Sequence, residues 1–162
     1  MPKIDQSLNP DSAQGLIFEG VRAGSSVFEI EDAIRELAGS GRWGYGLTER
    51  LLALGIGALE LGGFSSEDPL EYEGLRERYL PEAHFRGKTA HRNSQYAFYA
   101  IAAIRGGLQP DIGADTGWWQ SELWPWVLCA LVALLRAGAE HRGVEVSVLT
   151  EELAAKTQHT VS

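Results

Sequence analysis

The chain has 162 residues, with 14 Lys and Arg against 22 Asp and Glu, for a formal charge of −8. Apolar residues make up 44% of it, enough to build a core, which excludes an acidic disordered tail, and the single Cys excludes a disulfide scaffold. The charge argues against binding nucleic acid by phosphate neutralisation and against anionic membrane surfaces, while it permits a basic protein partner or no partner at all.

Residues 1–14 read as a flexible leader, because Pro2, Asn9-Pro10 and Asp11-Ser12 are loop signals without periodicity. The stretch MPKIDQSLNPDS has no apolar centre of the kind a secretory signal needs. With one cysteine and no such signal, a reducing, cytoplasmic setting is expected. Residues 15–22 hold a short apolar patch, Leu16, Ile17, Phe18 and Val21, which suits a strand or an irregular segment equally.

The first helix is predicted over residues 26–38. Ser26 and Glu29 have the spacing of a capping box, and Val27, Ile30, Ile34 and Leu37 recur at helical intervals. Gly39-Ser40-Gly41 ends it. A second helix, residues 48–61, starts at Thr48 and stops at Gly62-Gly63. Gly55 and Gly57 inside it each cost about 1 kcal/mol relative to Ala, which predicts a neighbouring helix close against that face.

The third helix, residues 68–80, opens with Asp68, Pro69 and Glu71 and ends before Pro81. Residues 82–92 favour neither helix nor loop. A fourth helix spans residues 93–105, before Gly106-Gly107 and Pro110.

The fifth helix runs from Trp118 or Glu122 to Ala139, and with Ser121 as cap, Pro125 falls in its first turn. It is apolar on every side. The apolar stretch Leu123–Leu135, broken only by Pro125 and Cys129, is shorter than the roughly 17–25 residues of a membrane helix, so a buried central helix is predicted. The sixth helix covers residues 146–157, with Val148, Leu149 and Leu153 facing in, and residues 158–162 should fray. The expected architecture is all-α: a single-domain bundle of about six helices, residues 15–157, around the central apolar helix.

Chemistry-bearing residues gather in residues 67–92. Glu67, Asp68, Glu71, Glu73, Glu77 and Glu82 come first, followed by His84, Arg86, Lys88, His91 and Arg92. The basic group, just ahead of a helix start near Asn93, is a candidate anion site. The plainer and favoured reading folds it back on the acidic helix to neutralise it. His84 and His91 could share a helical face with Glu77, but zinc needs three or four ligands and Gly87 interrupts the helix, so no metal site is assigned.

Glu73 and Glu77 lie beside Arg76 and Arg78 on what reads as a solvated face, not an acid–base pair. Cys129 sits in the most apolar helix, where a thiolate is disfavoured. No Gly-x-Ser-x-Gly, phosphate-cradling Gly-Lys-Ser/Thr or His-Glu-x-x-His motif occurs, and no cofactor is assigned.

Trp118, Trp119, Trp124 and Trp126 fall within a short stretch. Trp124 and Trp126 read as core. Trp118 and Trp119, with Trp43 and Tyr45 of an earlier loop, form the candidate partner surface, because exposed Trp and Tyr anchor interfaces. The function expected from the sequence is that of a non-catalytic protein-binding domain, a small acidic inhibitor or immunity-type protein docking a basic partner, with a homodimer as a further candidate. The alternative is an enzyme or small-molecule binder with an anion site around residues 84–92.

Overall fold

The computed structural model describes residues 10–38, 45–63, 78–80, 97, 101 and 124–160. Five helices are bounded among them: α1 (Pro10–Arg22), α2 (Val27–Ala38), α3 (Tyr45–Leu61), α4 (Trp124–Arg142) and α5 (Val146–Thr160), with no strand among the described residues. The fold is all-α, as predicted. The predicted third and fourth helices fall largely outside the described residues, although Arg78, Tyr79, Ala97 and Ile101 are helical.

The stretch left between strand and irregular segment is helical, and it starts within the expected leader. In α1 the apolar positions Ala13, Ile17 and Val21 are all buried, at strict four-residue spacing. Pro10 and Asp11, read as loop residues, are the first residues of this helix, where a missing N–H and an acidic side chain are tolerated or favoured. Helix α5 likewise runs on to Thr160, past the point at which fraying was expected.

Helix α2 begins as its capping box predicts. The Ser26 hydroxyl accepts the Glu29 backbone N–H and the Glu29 carboxylate accepts the Ser26 N–H, each at 3.2 Å. Val27, Ile30 and Ile34 are buried along one side.

Helix α4 is the centre. Thirteen of its 19 residues are buried, spread over every side of the helix, so no broad side faces water. It packs chiefly against α3 and α5 and also touches α2. Each buried Leu removes apolar area worth about 1.5–3 kcal/mol from water, and Leu128, Leu131, Leu134 and Leu135 all contribute. Trp124 is buried beneath the Arg35 guanidinium, which stacks 4.9 Å from its ring, while Trp126 is half-buried.

The glycines of α3 do what their cost implies. A Cβ at Gly55 would lie 2.6 Å from Ile101 Cδ1, and one at Gly57 would lie 2.8 Å from Leu153 Cδ1. Gly138 of α4 meets backbone as well as a side chain: its Cβ would stand 2.9 Å from the Gly62 Cα and 2.9 Å from Leu149 Cδ2. The C-terminal end of α3, the last turns of α4 and the start of α5 therefore meet at one point. In α5, Leu149 and Leu153 face inward as predicted, but Val148 is 44% exposed. Leu149 and Leu153 point nearly the same way, and Val148 lies about 100° from Leu149 around the helix, on the side turned to water.

Candidate functional site

The residues singled out from sequence lie outside the described residues: His84, Arg86, Lys88, His91 and Arg92 of the anion-site candidate, and Trp43, Trp118 and Trp119 of the partner surface. Tyr45 is the first residue of α3, with its side chain likewise outside. The described residues nonetheless form two surface features of their own.

The first is the outer face of α2. With Val27, Ile30 and Ile34 turned inward, helical geometry turns Phe28, Glu29, Asp32 and Glu36 outward. Phe28 is 43% exposed, one of two large apolar side chains so exposed among the described residues. Glu29, Asp32 and Glu36 follow at three- and four-residue steps, placing three carboxylates in one stripe beside the ring. Like charges at this spacing weaken a helix by a few tenths of a kcal/mol, a cost that a cationic partner would relieve.

This stripe matters because basic side chains elsewhere are already engaged. Arg22 pairs with Glu151 at 3.1 Å and Arg35 with Glu31 at 3.1 Å, while Arg78 pairs with Glu140, Arg142 with Glu152 and Lys156 with Glu60. Arg136 donates to the backbone carbonyls of Tyr79 at 2.7 Å and Ser25 at 3.3 Å. At the exit of α4, His141 Nδ1 donates to the Gly62 carbonyl at 2.8 Å and Arg142 to the Leu61 carbonyl at 3.1 Å. These carbonyls end α3, where the helix dipole is negative and cations are favoured. Glu19, Asp32, Glu36 and Glu145 are exposed and outside the ion pairs among the described residues.

The ionic contacts tune two carboxylates. Glu140 is held below the usual glutamate range by hydrogen bonds from the Tyr79 hydroxyl and Arg78, and burial together with that same bond to Glu140 pushes the Tyr79 phenol up. Glu152 is lowered by its hydrogen bond from Arg142. All belong to solvent-facing contacts between elements.

The second feature is a cleft of about 320 Å³ between α3 and α5. Its walls are mostly apolar, from Ala53, Leu54, Ile56, Gly57 and Leu153, and its rim carries Arg50, Glu60, Lys156 and Thr157. Arg50 Nη1 donates to Gln14 Oε1 at 2.8 Å, which ties this rim to α1.

Comparison with known protein families, curated proteins and solved structures finds no match to this chain. The site is therefore read from its own chemistry. Among the described residues no three His, Cys, Asp or Glu side chains gather to hold a metal ion. Cys129, the one cysteine of the chain, is a buried thiol outside any disulfide. No described helix is long and apolar enough to cross a membrane. What the described surface offers is an apolar ring beside an acidic stripe, and a small cleft. The sequence pattern already held the α2 face, because the same periodicity that turned Val27, Ile30 and Ile34 inward assigned Phe28 outward.

Proposed function

We propose that this chain is a non-catalytic protein-binding domain that docks a basic partner, in the manner of small acidic inhibitor or immunity-type proteins. The observation that carries the reading is the outer face of α2, where exposed Phe28 lies beside Glu29, Asp32 and Glu36. An aromatic anchor supplies contact area and the carboxylates supply steering and register toward cations. The excess of acid over base, 22 against 14 in the whole chain, acts in the same direction at longer range. Cys129, buried and without a second cysteine in the chain, supports a reducing, cytoplasmic setting.

The test is an NMR titration with two synthetic helical peptides of equal apolar content, one Lys/Leu and one Glu/Leu. The Lys/Leu peptide is expected to shift the backbone resonances of α2, to weaken as salt rises, and to lose binding in the Asp32→Lys/Glu36→Lys double variant. Equal binding of both peptides, or shifts that leave α2 untouched, would overturn the reading. Light-scattering mass in the same samples decides whether a second copy of the chain is the partner instead.

A further inference from the structure

We infer that the cleft between α3 and α5 is a binding site for a small uncharged aliphatic molecule, held by the walls of the cleft and not by its rim. The volume, about 320 Å³, sits at the lower end of the roughly 300–1,000 Å³ typical of small-molecule sites, so a short chain fits and a large ligand does not. Leu54 of α3 and Leu153 of α5, both buried, line its floor, while exposed Ala53 and half-buried Ile56 line its sides. Gly57 draws the two helices together here, since a Cβ in its place would stand 2.8 Å from Leu153 Cδ1. An aliphatic chain laid in the cleft takes its own surface and that of these walls out of water, which is the whole of the attraction the walls can give.

The rim decides the charge of the occupant. Its polar side chains are already engaged within the protein. Lys156 of α5 pairs with Glu60 of α3 across the cleft. Arg50 donates to Gln14 Oε1 at 2.8 Å, and the Thr157 hydroxyl donates to the Leu153 carbonyl at 2.6 Å. A carboxylate entering the cleft would compete with Glu60 for Lys156, and an ammonium would compete with Lys156 for Glu60. Either head group would also give up water against apolar walls. An uncharged chain meets neither cost. The Glu60–Lys156 pair thus acts as a selectivity element that turns away both signs of charge. The site is separate from the α2 face and draws on none of its residues.

The experiment is a methyl NMR titration of the full chain with hexanol, hexanoate and hexylammonium at matched ionic strength. Hexanol is expected to shift Leu54, Ile56 and Leu153 saturably and independently of salt, and to bind about fivefold more tightly than either charged chain, the upper scale of an exposed ion pair. The two rim variants should break this symmetry in opposite directions. Lys156→Gln leaves Glu60 without its partner and should bring hexylammonium up to the affinity of hexanol, while Glu60→Gln should do the same for hexanoate. Ala53→Trp, at an exposed position of the wall, should fill the cleft and remove hexanol binding while leaving the circular dichroism spectrum unchanged. Hexanol binding no tighter than both ions, shifts away from these three residues, rim variants that leave the order unchanged, or an unaffected Ala53→Trp variant would each overturn the assignment.

Discussion

Helices α2 and α4 use the same backbone geometry for opposite ends. Helix α2 buries one stripe, Val27, Ile30 and Ile34, and leaves the opposite side to Phe28 and three carboxylates. Helix α4 buries residues all round and meets water chiefly near its end, where Arg136, His141 and Arg142 reach out to neighbouring carbonyls. The lesson is that apolar content alone places neither helix. What separates them is whether polar residues recur at a helical interval. They do in α2, so one face is committed to solvent or to a partner; in α4 they are held back until the last turns, so the remainder is available for packing.

Substitutions should divide along that line. Leu131→Ala, at a fully buried position of α4, should cost about 2–5 kcal/mol in denaturant unfolding, through lost burial and the cavity left behind. A cost near zero would mean that α4 is not the centre. Gly138→Ala should cost about 1–3 kcal/mol, because the Gly62 backbone at 2.9 Å cannot swing aside as a side chain would. In α2 the corresponding weak point is its cap: Ser26→Ala should cost about 1 kcal/mol, with helical signal lost first from this helix by amide exchange.

Acid should reveal a smaller term. Glu140 and Glu152 have folded-state values below those of the unfolded chain, so at low pH the unfolded chain binds more protons. The stability they contribute is present above the ordinary glutamate value, about 4.3, and is lost as pH falls through the lowered folded values. Glu140→Gln should flatten that acid slope slightly, measured as unfolding midpoint against pH, since exposed pairs are screened. The smallest effect is expected at Phe28→Ala: a change within about 0.5 kcal/mol in stability, alongside clear loss of Lys/Leu peptide binding. A large stability loss there would make Phe28 a core residue and remove the distinction between the two helices.

The sequence made α2 and α4 legible because their signals are redundant. Ser26 and Glu29 name the start of α2 independently of its apolar stripe, and the length of the α4 apolar run separates a core helix from a membrane span without reference to any neighbour. The glycines of α3 were readable for the same kind of reason, since Gly55 and Gly57 have a helical cost that only close packing offsets. Helix α1 was hidden because Pro10 and Asp11 serve equally well in a loop and in a helical first turn, and because its four-residue period starts at Ala13, a residue too small to register as apolar patterning. Val148 misled through its type: it sits beside Leu149 in sequence but faces away from it in space. The α2 face was implicit in the pattern, yet a single Phe is a weaker sequence signal for a partner surface than the aromatic residues Trp43, Tyr45, Trp118 and Trp119. The α3–α5 cleft was beyond sequence altogether, since it depends on how two segments about a hundred positions apart lie side by side.

Three side chains of α4 reach main-chain oxygens of their surroundings: Arg136 to Tyr79 and Ser25, His141 to Gly62, Arg142 to Leu61. Every amino acid offers that oxygen, so these bonds depend on the identity of the donating residue and not on that of the receiving one. Loss of these clasps should therefore follow substitution of the three donors of one helix, whereas an acceptor position is constrained only by its other contacts, as Gly62 is by Gly138.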